Sequence, residues 1–423
     1  MSEPKIVIGA GAAGLTAAAV CAERGGRVLL IEKMERPGRK LRITGKGRCN
    51  VTNATFDLQG LLEHIPTNPR FLYSAFSNFM PYDTIALLED LGVPTKIERG
   101  ERVFPVSDHA TDIVDALVRR AKNAGVQFLQ GTVERLELTE DGRRVQAVHL
   151  TDGRRLTCDT VAVCTGGCSY PATGSTGDGY IFARQCGHTI VPIRPALVPL
   201  VCDNNFIPEL QGLSLRNVEI RVTQGNKEVY TDFGEMLFTH YGVSGPVVLS
   251  ASSHLTQPER GVYNLHIDLK PALAFDVLDR RVQRDFSALQ NKDLINALGG
   301  LLPRKLIPVF VRRSGLEPGK KVNQISREER HALVRLMKDF AVHITDFRPV
   351  EEAIVTAGGV DVRQVSPKTM GSKLVENLYF AGEVLDVDGD CGGFNLMFAF
   401  GSGILAGLDG RNAPWTHENA QKS

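Results

Sequence analysis

Two short apolar runs near the start of the chain frame an alanine-rich segment. Lys5–Ile8 and Arg27–Glu32 have the apolar character of buried strands, and Leu15–Arg24 between them has the composition of a helix. The glycines Gly25 and Gly26 end that helix. The pattern predicts a strand–helix–strand unit of an α/β fold.

The turn between the first strand and the helix carries three glycines at a spacing that suits a dinucleotide. Gly9 permits the tight turn, Gly11 lets the backbone approach a pyrophosphate, and Gly14 lets the helix pack on the sheet. Glu32 ends the second strand, where a carboxylate accepts a hydrogen bond from a ribose 2′-OH. Because this acid would repel a 2′-phosphate, the pattern predicts FAD or NAD rather than NADP. A glycine-rich turn of another α/β protein is the alternative.

Two later segments also join an apolar strand to a glycine-rich turn. Residues 159–164 predict a buried strand that ends in Thr-Gly-Gly at 165–167. Asn377–Ala381 predicts another strand, and the apolar helix Leu396–Leu408 follows it after a loop rich in Asp and Gly. The N-terminus of that helix, near Gly392, would stabilise negative charge on the N1/O2 edge of a flavin.

Residues 33–53 are rich in Gly, Lys and Arg and contain few large apolar side chains, which predicts a loop. Gly45 and Gly47 allow close approach of the backbone to a ligand. A solvated basic loop is the alternative to a ligand-binding one. The basic residues that could face phosphates or a polar ligand are Arg39, Lys40, Lys46 and Arg48.

The middle of the chain changes character near Pro192. Short alternating runs over 196–270 predict a small antiparallel sheet or barrel, and 275–345 predicts helices. Residues 271–350 hold fifteen Lys or Arg and nine Asp or Glu, a balance of +6 (15 − 9) in a chain whose net charge is +1. A solvated surface and a nucleic-acid patch both fit this balance. The adjacent basic pairs that would contact phosphates are Arg280-Arg281, Arg304-Lys305, Arg312-Arg313 and Lys320-Lys321.

Composition constrains the number of domains and the cellular compartment more than it constrains the chemistry. The 423 residues allow two or three domains, and a formal net charge of +1 gives no global field that announces a partner. Eight cysteines without metal-type spacing predict reduced thiols and no metal site. The start of the chain lacks a signal-peptide pattern, and no apolar run reaches the length of a membrane span, so we expect a cytoplasmic protein without membrane contact.

Taken together, these motifs resemble a group of bacterial FAD-binding flavoproteins, the aminoacetone-oxidase-like, BaiN-like or YhiN-like oxidoreductases. The resemblance covers nearly the whole chain. It rests on GAGAAG at 9–14, PGRKLRITGKGRCNVTN at 37–53, TGG at 165–167, PALVPL at 195–200, LFTHYGVSGP at 237–246 and GEVLDVDGDCGGFNLMFAFGSG at 382–403.

The resemblance implies an α/β fold with a Rossmann-type FAD-binding domain of the glutathione-reductase kind. An antiparallel β-barrel domain and a small helical domain are inserted into it. The implied boundaries are 1–192 and 351–423 for the FAD-binding domain, 193–270 for the barrel and 271–350 for the basic helical domain.

The family's FAD contacts carry over to matching positions of this chain. They are Gly9, Gly11, Ala13, Gly14, Glu32, Lys33, Arg39, Lys40, Gly45, Gly47, Arg48, Cys49, Asn50, Val133, Thr165, Gly166, Gly167, Gly382, Glu383, Asp388, Gly392, Gly393, Phe394 and Asn395.

The resemblance also implies an enzyme that reduces a conjugated C=C bond, with NAD(P)H as a transient electron donor. Candidates for the acid that protonates the product are His240 and Cys49. A uridine in ribosomal RNA is the favoured substrate because an RNA backbone needs a basic segment such as 271–350. Phe394, Phe398 and Tyr241 are candidates for an apolar pocket around the unstacked base.

Other readings stay open. An unsaturated bile-acid or steroid ketone is the alternative substrate for the same reduction. A flavin amine oxidase acting on aminoacetone is a second enzyme reading. An RNA-binding flavoprotein without turnover is the non-enzymatic one.

Overall fold

The computed structural model describes residues 3–256 and 260–408 and divides them into two compact units. Unit 1 combines the described residues up to Ala196 with those from Val350 onward, and unit 2 is Leu197–Pro349. Among the described residues no helix is both long and apolar enough to cross a membrane.

The strands are numbered in chain order. They are Lys5–Ile8 (β1), Val28–Glu32 (β2), Thr52–Asn53 (β3), Thr95–Glu98 (β4), Arg102–Pro105 (β5), Gln127–Gln130 (β6), Val133–Leu138 (β7), Val145–Leu150 (β8), Arg155–Thr157 (β9), Thr160–Val163 (β10), Ile190–Ala196 (β11), Leu200–Cys202 (β12), Ser214–Gln224 (β13), Lys227–Phe238 (β14), Gly242–Ser244 (β15), Tyr263–Asp268 (β16), Phe340–Phe347 (β17), Val355–Val360 (β18) and Leu378–Phe380 (β19).

The helices are numbered in the same way. They are Ala12–Glu23 (α1), Arg39–Gly47 (α2), Leu58–Glu63 (α3), Tyr73–Asn78 (α4), Pro81–Asp90 (α5), Ala110–Asn123 (α6), Asp178–Gln185 (α7), Pro246–Ser253 (α8), Phe275–Ala288 (α9), Leu294–Ala297 (α10), Ile307–Ser314 (α11), Arg327–Lys338 (α12) and Phe394–Gly407 (α13).

A five-stranded parallel sheet in the order β19-β10-β1-β2-β6 forms the centre of unit 1. Ile8 at the end of β1 lies between Ile31 of β2 and Val163 of β10. Because the strands are parallel, the turns that follow β1, β10 and β19 lie at the same edge of the sheet. The predicted Rossmann-type fold is therefore confirmed, and the end of the chain supplies its β19 strand.

Helix α13 packs closely against α1. A Cβ atom at Gly403 would lie 2.6 Å from the carbonyl oxygen of Ala13, and one at Gly407 would lie 2.6 Å from that of Ala17. Only glycine allows this approach at both positions. The contact ties the last described helix to the one that follows the first glycine motif.

Unit 2 contains a closed antiparallel barrel in the order β12-β15-β14-β13-β16-β17. Its last strand, Phe340–Phe347, lies in a stretch whose sequence predicts helix, and alternating burial of its side chains explains the strand. The sequence also divides this unit at residue 270 into a barrel and a helical domain. In the structure, the α9, α11 and α12 helices share one hydrophobic core with the barrel strands.

The basic segment 33–53 is more ordered than the loop that its composition predicts. It contains α2, whose backbone leaves the helical conformation at Thr44–Lys46, and the short strand β3. Leu41 is buried in the core of unit 1 and anchors the helical turn. Leu41 is the buried apolar residue of α2, and one such position in a polar helix is too weak a signal to predict it.

Candidate active site

The turn after β1 leaves open space beside one glycine and none beside another. A Cβ at Gly14 would lie 1.8 Å from the carbonyl oxygen of Gly9, so this position is closed by the turn itself. At Gly11, no atom of the described residues lies within 4 Å of such a Cβ. The arrangement agrees with the predicted division of labour, in which Gly14 serves packing and Gly11 leaves room for a ligand.

The carboxylate of Glu32 organises the same turn. One of its oxygens accepts a hydrogen bond from the backbone N–H of Ala10 and the other from that of Met34, both at 2.8 Å. The carbonyl oxygen of Glu32 accepts a third hydrogen bond, from the N–H of Gly131 at 2.9 Å. Val133, another predicted contact, begins β7 two residues later and is buried. Glu32 therefore joins the turns that follow β1, β2 and β6.

Two helix N-termini and two buried oxygens provide the polar groups that a dinucleotide site requires. The N-cap residues of α1 and α13 are Gly11 and Gly393, which have no side chain with which to cap the helix. Asn50 Oδ1 and Thr165 Oγ1 are buried and have no hydrogen-bond partner in the described part of the chain. Buried polar atoms normally have partners, and uncapped helix N-termini attract anions. The residues present therefore fit a bound dinucleotide with a pyrophosphate.

Lys40 and Glu383 form an ion pair at the sheet edge. The Lys40 Nζ lies 2.7 Å from a Glu383 oxygen and 2.8 Å from the hydroxyl of Ser169. The other Glu383 oxygen accepts a hydrogen bond from the N–H of Thr356 at 2.9 Å. Gly166 and Gly167, in the turn after β10, lie against Glu383, since a Cβ at Gly167 would come within 2.9 Å of its carboxylate. Predicted contacts from three separate segments thus meet here.

The glycine-rich loop before α13 is held by its own side chains. Asn395 accepts a hydrogen bond from the N–H of Gly389 at 2.9 Å and donates one to its carbonyl oxygen at 2.7 Å. Phe394 is fully buried, and the ring of His64 stacks on it with centroids 4.3 Å apart. His64 Nδ1 also lies 3.1 Å from a carboxylate oxygen of Asp390.

The His64–Asp390 pair was missed by sequence reasoning, because its members stand 326 residues apart with no motif to join them. Another predicted contact, Asp388, is completely buried in the same loop, with the Arg194 guanidinium 3.9 Å away.

Cys49 occupies a closed position. Its side chain is fully buried, and burial raises the pKa of the thiol to about 11. The thiol therefore carries its proton at neutral pH. The backbone at Cys49 has a positive φ of 59°, and its N–H donates to the carbonyl oxygen of Thr44 at 3.0 Å.

Two of the cationic side chains predicted to contact FAD form ion pairs with carboxylates of the protein. The Arg48 guanidinium contacts the carboxylates of Glu98 and Asp108 and stacks over the Phe104 ring at 4.1 Å. Lys33 donates to Asp178 at 2.6 Å. Their acidic partners lie between 50 and 145 residues away in sequence, so spacing gave no sign of them.

His240, the other candidate acid, belongs to unit 2. It is exposed in the turn between β14 and β15, and its ring meets that of Tyr241 edge to face at 4.8 Å. The Arg348 guanidinium covers Tyr241 at 4.5 Å. The FAD contacts named above all lie in unit 1.

Comparisons with known proteins identify the family of this chain. A family model described as "HI0933-like protein Rossmann domain" matches residues 3–409. The chain is 34% identical over 405 residues to the ribosomal RNA dihydrouridine synthase of Escherichia coli K12, covering 96% of this chain and 97% of that protein. It is 31% identical over 416 residues to the 3-dehydro-bile acid delta(4,6)-reductase of Clostridium scindens, covering 96% and 99%.

A solved structure supports the fold alone. The 3-ketosteroid-delta4-(5alpha)-dehydrogenase of Rhodococcus jostii RHA1 has a TM-score of 0.51 at 16% identity, with 97% of each chain covered.

The family model and the two relatives show that the chain belongs to the HI0933-like family of Rossmann-domain proteins. It is an FAD-dependent oxidoreductase, as the resemblance implied.

Proposed function

We propose that this protein reduces a C=C bond conjugated with a carbonyl group, and that its substrate is a uridine in ribosomal RNA. The observation that carries the proposal is end-to-end similarity to two ribosomal RNA dihydrouridine synthases, 34% and 32% identical over at least 95% of this chain. A ribosomal RNA substrate implies a cytoplasmic enzyme.

When bound, reduced FAD supplies a hydride to the electron-poor carbon of the double bond. NAD(P)H is the proposed electron source. We propose that it binds transiently, because the sequence contains one complete G-x-G-x-x-G motif and we assign that motif to FAD. The residues Glu32, Asn50 and Thr165 would hold FAD in unit 1. The proton for the neighbouring carbon comes from an acid of the protein, with His240 and Cys49 as the proposed donors.

Fewer basic side chains of the segment 271–350 are available to bind phosphate than its net charge of +6 indicates. Several of the predicted phosphate contacts already pair within unit 2, and Arg313 is half-buried against two phenylalanine rings. Arg280 and Arg304 are exposed and have no ionic partner in the described part of the chain, which leaves them for phosphate. The intramolecular ion pairs are Arg281–Asp285, Arg312–Glu209, Lys320–Glu329 and Lys321–Asp293.

The proposal is tested by mixing the reduced protein with candidate substrates without oxygen and following flavin absorbance. We expect unmodified ribosomal RNA to reoxidise the flavin and to gain dihydrouridine. Deleting the gene should remove that dihydrouridine from the host's ribosomal RNA, and an unchanged map would refute the RNA substrate. The variants His240→Asn and Cys49→Ser should separate the proton donors, since only loss of the true donor slows reoxidation with flavin content unchanged.

A bile-acid or steroid enone is the second candidate, because the Clostridium scindens relative is a 3-dehydro-bile acid reductase. Reoxidation by the enone, with none by RNA, would establish it. Peroxide formation from aminoacetone and oxygen would instead indicate an amine oxidase. RNA binding without reoxidation would leave a non-enzymatic flavoprotein.

A further inference from the structure

The imidazole of His64 lies in unit 1, and the chemistry proposed above does not use it. Its Nδ1 is 3.1 Å from a carboxylate oxygen of Asp390. One face of the ring stacks on Phe394, the first residue of α13, with an interplanar angle of 20°. The backbone joins the same two segments, since the His64 carbonyl oxygen accepts from the N–H of Asp390 at 2.9 Å. These three contacts fix the orientation of the ring.

The segment that carries His64 is joined to the loop before α13 a second time. Asn68 Nδ2 donates to the carbonyl oxygen of Asp386 at 2.8 Å and to its carboxylate at 3.0 Å. Within the loop, the Asn395 side chain bonds both the N–H and the carbonyl oxygen of Gly389. Because segment and loop are held together at two points, the ring is positioned before any ligand binds, which lowers the entropy lost on binding.

The ring lies where two groups of predicted FAD contacts meet. The strand β3 passes the start of α13, and Asn53 Nδ2 donates to the carbonyl oxygen of Gly392 at 3.2 Å. Asn50, whose buried side-chain oxygen lacks a partner among the described residues, stands three positions before Asn53. The N-terminus of α13 is predicted to face the N1/O2 edge of the flavin. His64 therefore lies beside the predicted flavin site.

The other nitrogen of the ring is open to a ligand. The His64 side chain is 47% exposed, and in the described part of the chain its Nε2 has no hydrogen-bond partner. A carboxylate at Nδ1 keeps a proton on that nitrogen, so Nε2 is the nitrogen that loses and regains a proton. Imidazole is also the most common general acid of enzymes.

The two donors named above lack this combination of place and access. Cys49 lies in unit 1 but is completely buried, and burial raises the pKa of its thiol to about 11. His240 is exposed but belongs to unit 2, whereas the predicted FAD contacts belong to unit 1. His64 is exposed and belongs to the unit of the FAD contacts.

We propose that His64 is the catalytic acid of the reduction and that Asp390 is the residue that positions it. The inference rests on the proposed function and names the donor for its proton step. The substrate accepts a hydride, for which reduced FAD is the source, at the carbon remote from the carbonyl group, and it becomes an enolate. The Nε2 of His64 then gives its proton to the carbon next to the carbonyl group, and the neutral ring regains a proton from water. The substrate has gained a hydride and a proton, and FAD is left oxidised.

The first test follows reoxidation of the reduced flavin by saturating unmodified ribosomal RNA without oxygen. We expect His64→Asn, whose amide can still donate to Asp390, to slow reoxidation by about 10²-fold to 10⁴-fold, the usual contribution of a general acid. Its FAD content and melting temperature should stay those of the wild type. His109→Asn, at an exposed histidine of the same unit, is the matched control and should react as the wild type does.

A second pair of variants tests the positioning role of Asp390. Asp390→Ala should lower the maximal rate by about 10²-fold, since misplacing a reacting group by about 1 Å costs that much. The RNA concentration that gives half of the maximal rate should not change. Asp390→Asn, whose amide oxygen can still accept from Nδ1, should react at an intermediate rate. A carboxylate that only held the loop would instead alter RNA or FAD binding and leave the maximal rate unchanged.

Chemical modification gives a readout that does not depend on turnover. Diethyl pyrocarbonate acylates accessible imidazole nitrogens, and mass spectrometry of the oxidised, FAD-loaded protein should find both His64 and His109 modified. A short oligouridylate should protect His64 and leave His109 modified. In a protein that RNA reoxidises, modification of His64 that ignores the oligouridylate would overturn the assignment.

The remaining outcomes separate this inference from the proposed function. If RNA reoxidises the wild type and His64→Asn equally fast, His64 is not the donor and the substrate proposal stands. A wild type that neither RNA nor a steroid enone reoxidises removes both proposals. If the steroid enone alone reoxidises the wild type, the RNA substrate is overturned, and slow reoxidation of His64→Asn by that enone still establishes His64 as the donor.

Discussion

Two pairs of residues, one in each unit, differ in whether the described residues satisfy their polar side chains. In unit 1, Asn50 and Thr165 each bury a side-chain oxygen that no described residue satisfies. In unit 2, Arg330 and Asp279 are each 15% exposed in their side chains and form two hydrogen bonds to each other, at 2.7 and 3.1 Å. Polar groups that are hydrogen-bonded within the protein contribute to its stability. Buried polar groups without a partner are costly until a ligand supplies one.

The N-termini of single helices give a narrower comparison, since both units contain capped and uncapped helices. Ser326 and Glu329 cap α12 reciprocally, with the Ser326 hydroxyl accepting from the Glu329 N–H at 3.2 Å and the Glu329 carboxylate accepting from the Ser326 N–H at 2.8 Å. The α1 and α13 helices of unit 1 have no such cap among the described side chains. The α12 helix thus satisfies its own first turn, whereas the first turns of α1 and α13 stay available to a ligand.

The largest expected effect separates packing glycines from ligand glycines in unit 1. Gly14→Ala places a Cβ 1.8 Å from the Gly9 carbonyl oxygen, so we expect about 3 kcal/mol less stability and loss of the yellow flavin. Gly11→Ala meets no described atom, so the apoprotein should melt as the wild type does while FAD affinity falls at least about tenfold. Calorimetry and flavin titration measure both. An apoprotein equally destabilised by the two changes would break the distinction.

Removing the Glu32 carboxylate should act on both cofactor and turn. Glu32→Ala leaves the N–H groups of Ala10 and Met34 without acceptors, which costs about 2 kcal/mol. FAD affinity should fall further because the ribose loses its partner. Glu32→Gln, which keeps one acceptor oxygen, is the matched control. Unchanged FAD affinity in Glu32→Ala would show that the carboxylate serves the turn alone.

Breaking an ion pair of unit 2 should leave flavin binding untouched. Asp279→Ala removes both hydrogen bonds from Arg330 and leaves that cation largely buried, so we expect a loss of about 2 kcal/mol in unfolding free energy. Double substitution with Arg330→Met should recover part of it. Chemical denaturation gives the stability, and an altered flavin spectrum would contradict the prediction that the Asp279–Arg330 pair serves stability alone.

The smallest effect depends on pH. The His343 ring nitrogens donate to the Gly261 carbonyl oxygen at 2.9 Å and to Asp203 at 3.0 Å, and these contacts raise the pKa of His343. A raised pKa means that the stabilisation is complete below about pH 6.5 and is lost as pH rises through the folded-state value. His343→Gln should therefore lower the melting temperature by about 2 °C at pH 5.5 and by less at pH 8.5. An equal loss at both pH values would contradict the assignment.

Local signals predicted the Rossmann core well. Each strand of β1, β10 and β19 ends in a glycine-rich turn, and the register of parallel strands then brings those turns together without further information. Such patterns are readable because turn, helix and strand agree within about thirty residues.

Long-range partners were not predictable in this way. Arg48, a predicted FAD contact, forms ion pairs with Glu98 and Asp108, and nothing near it in sequence indicates either acid. The sequence over 275–345 predicts helix, yet the strand Phe340–Phe347 begins inside it, because its barrel partners in β12 and β16 lie far away in the chain. Ion pairing and closure of a barrel depend on tertiary proximity, which one sequence does not display.

The position of β19 at the sheet edge has a consequence for synthesis on the ribosome. Unit 2 occupies 197–349 without interruption, so all of its strands have emerged before the second part of unit 1 is made. Unit 1 completes its sheet only when Leu378–Phe380 reaches β10, and its helix pair only when α13 follows. Because domains fold as they emerge, the nascent chain carries a folded barrel at a stage when the sheet of unit 1 still lacks its β19 strand. FAD can therefore be captured only after α13 has been synthesised.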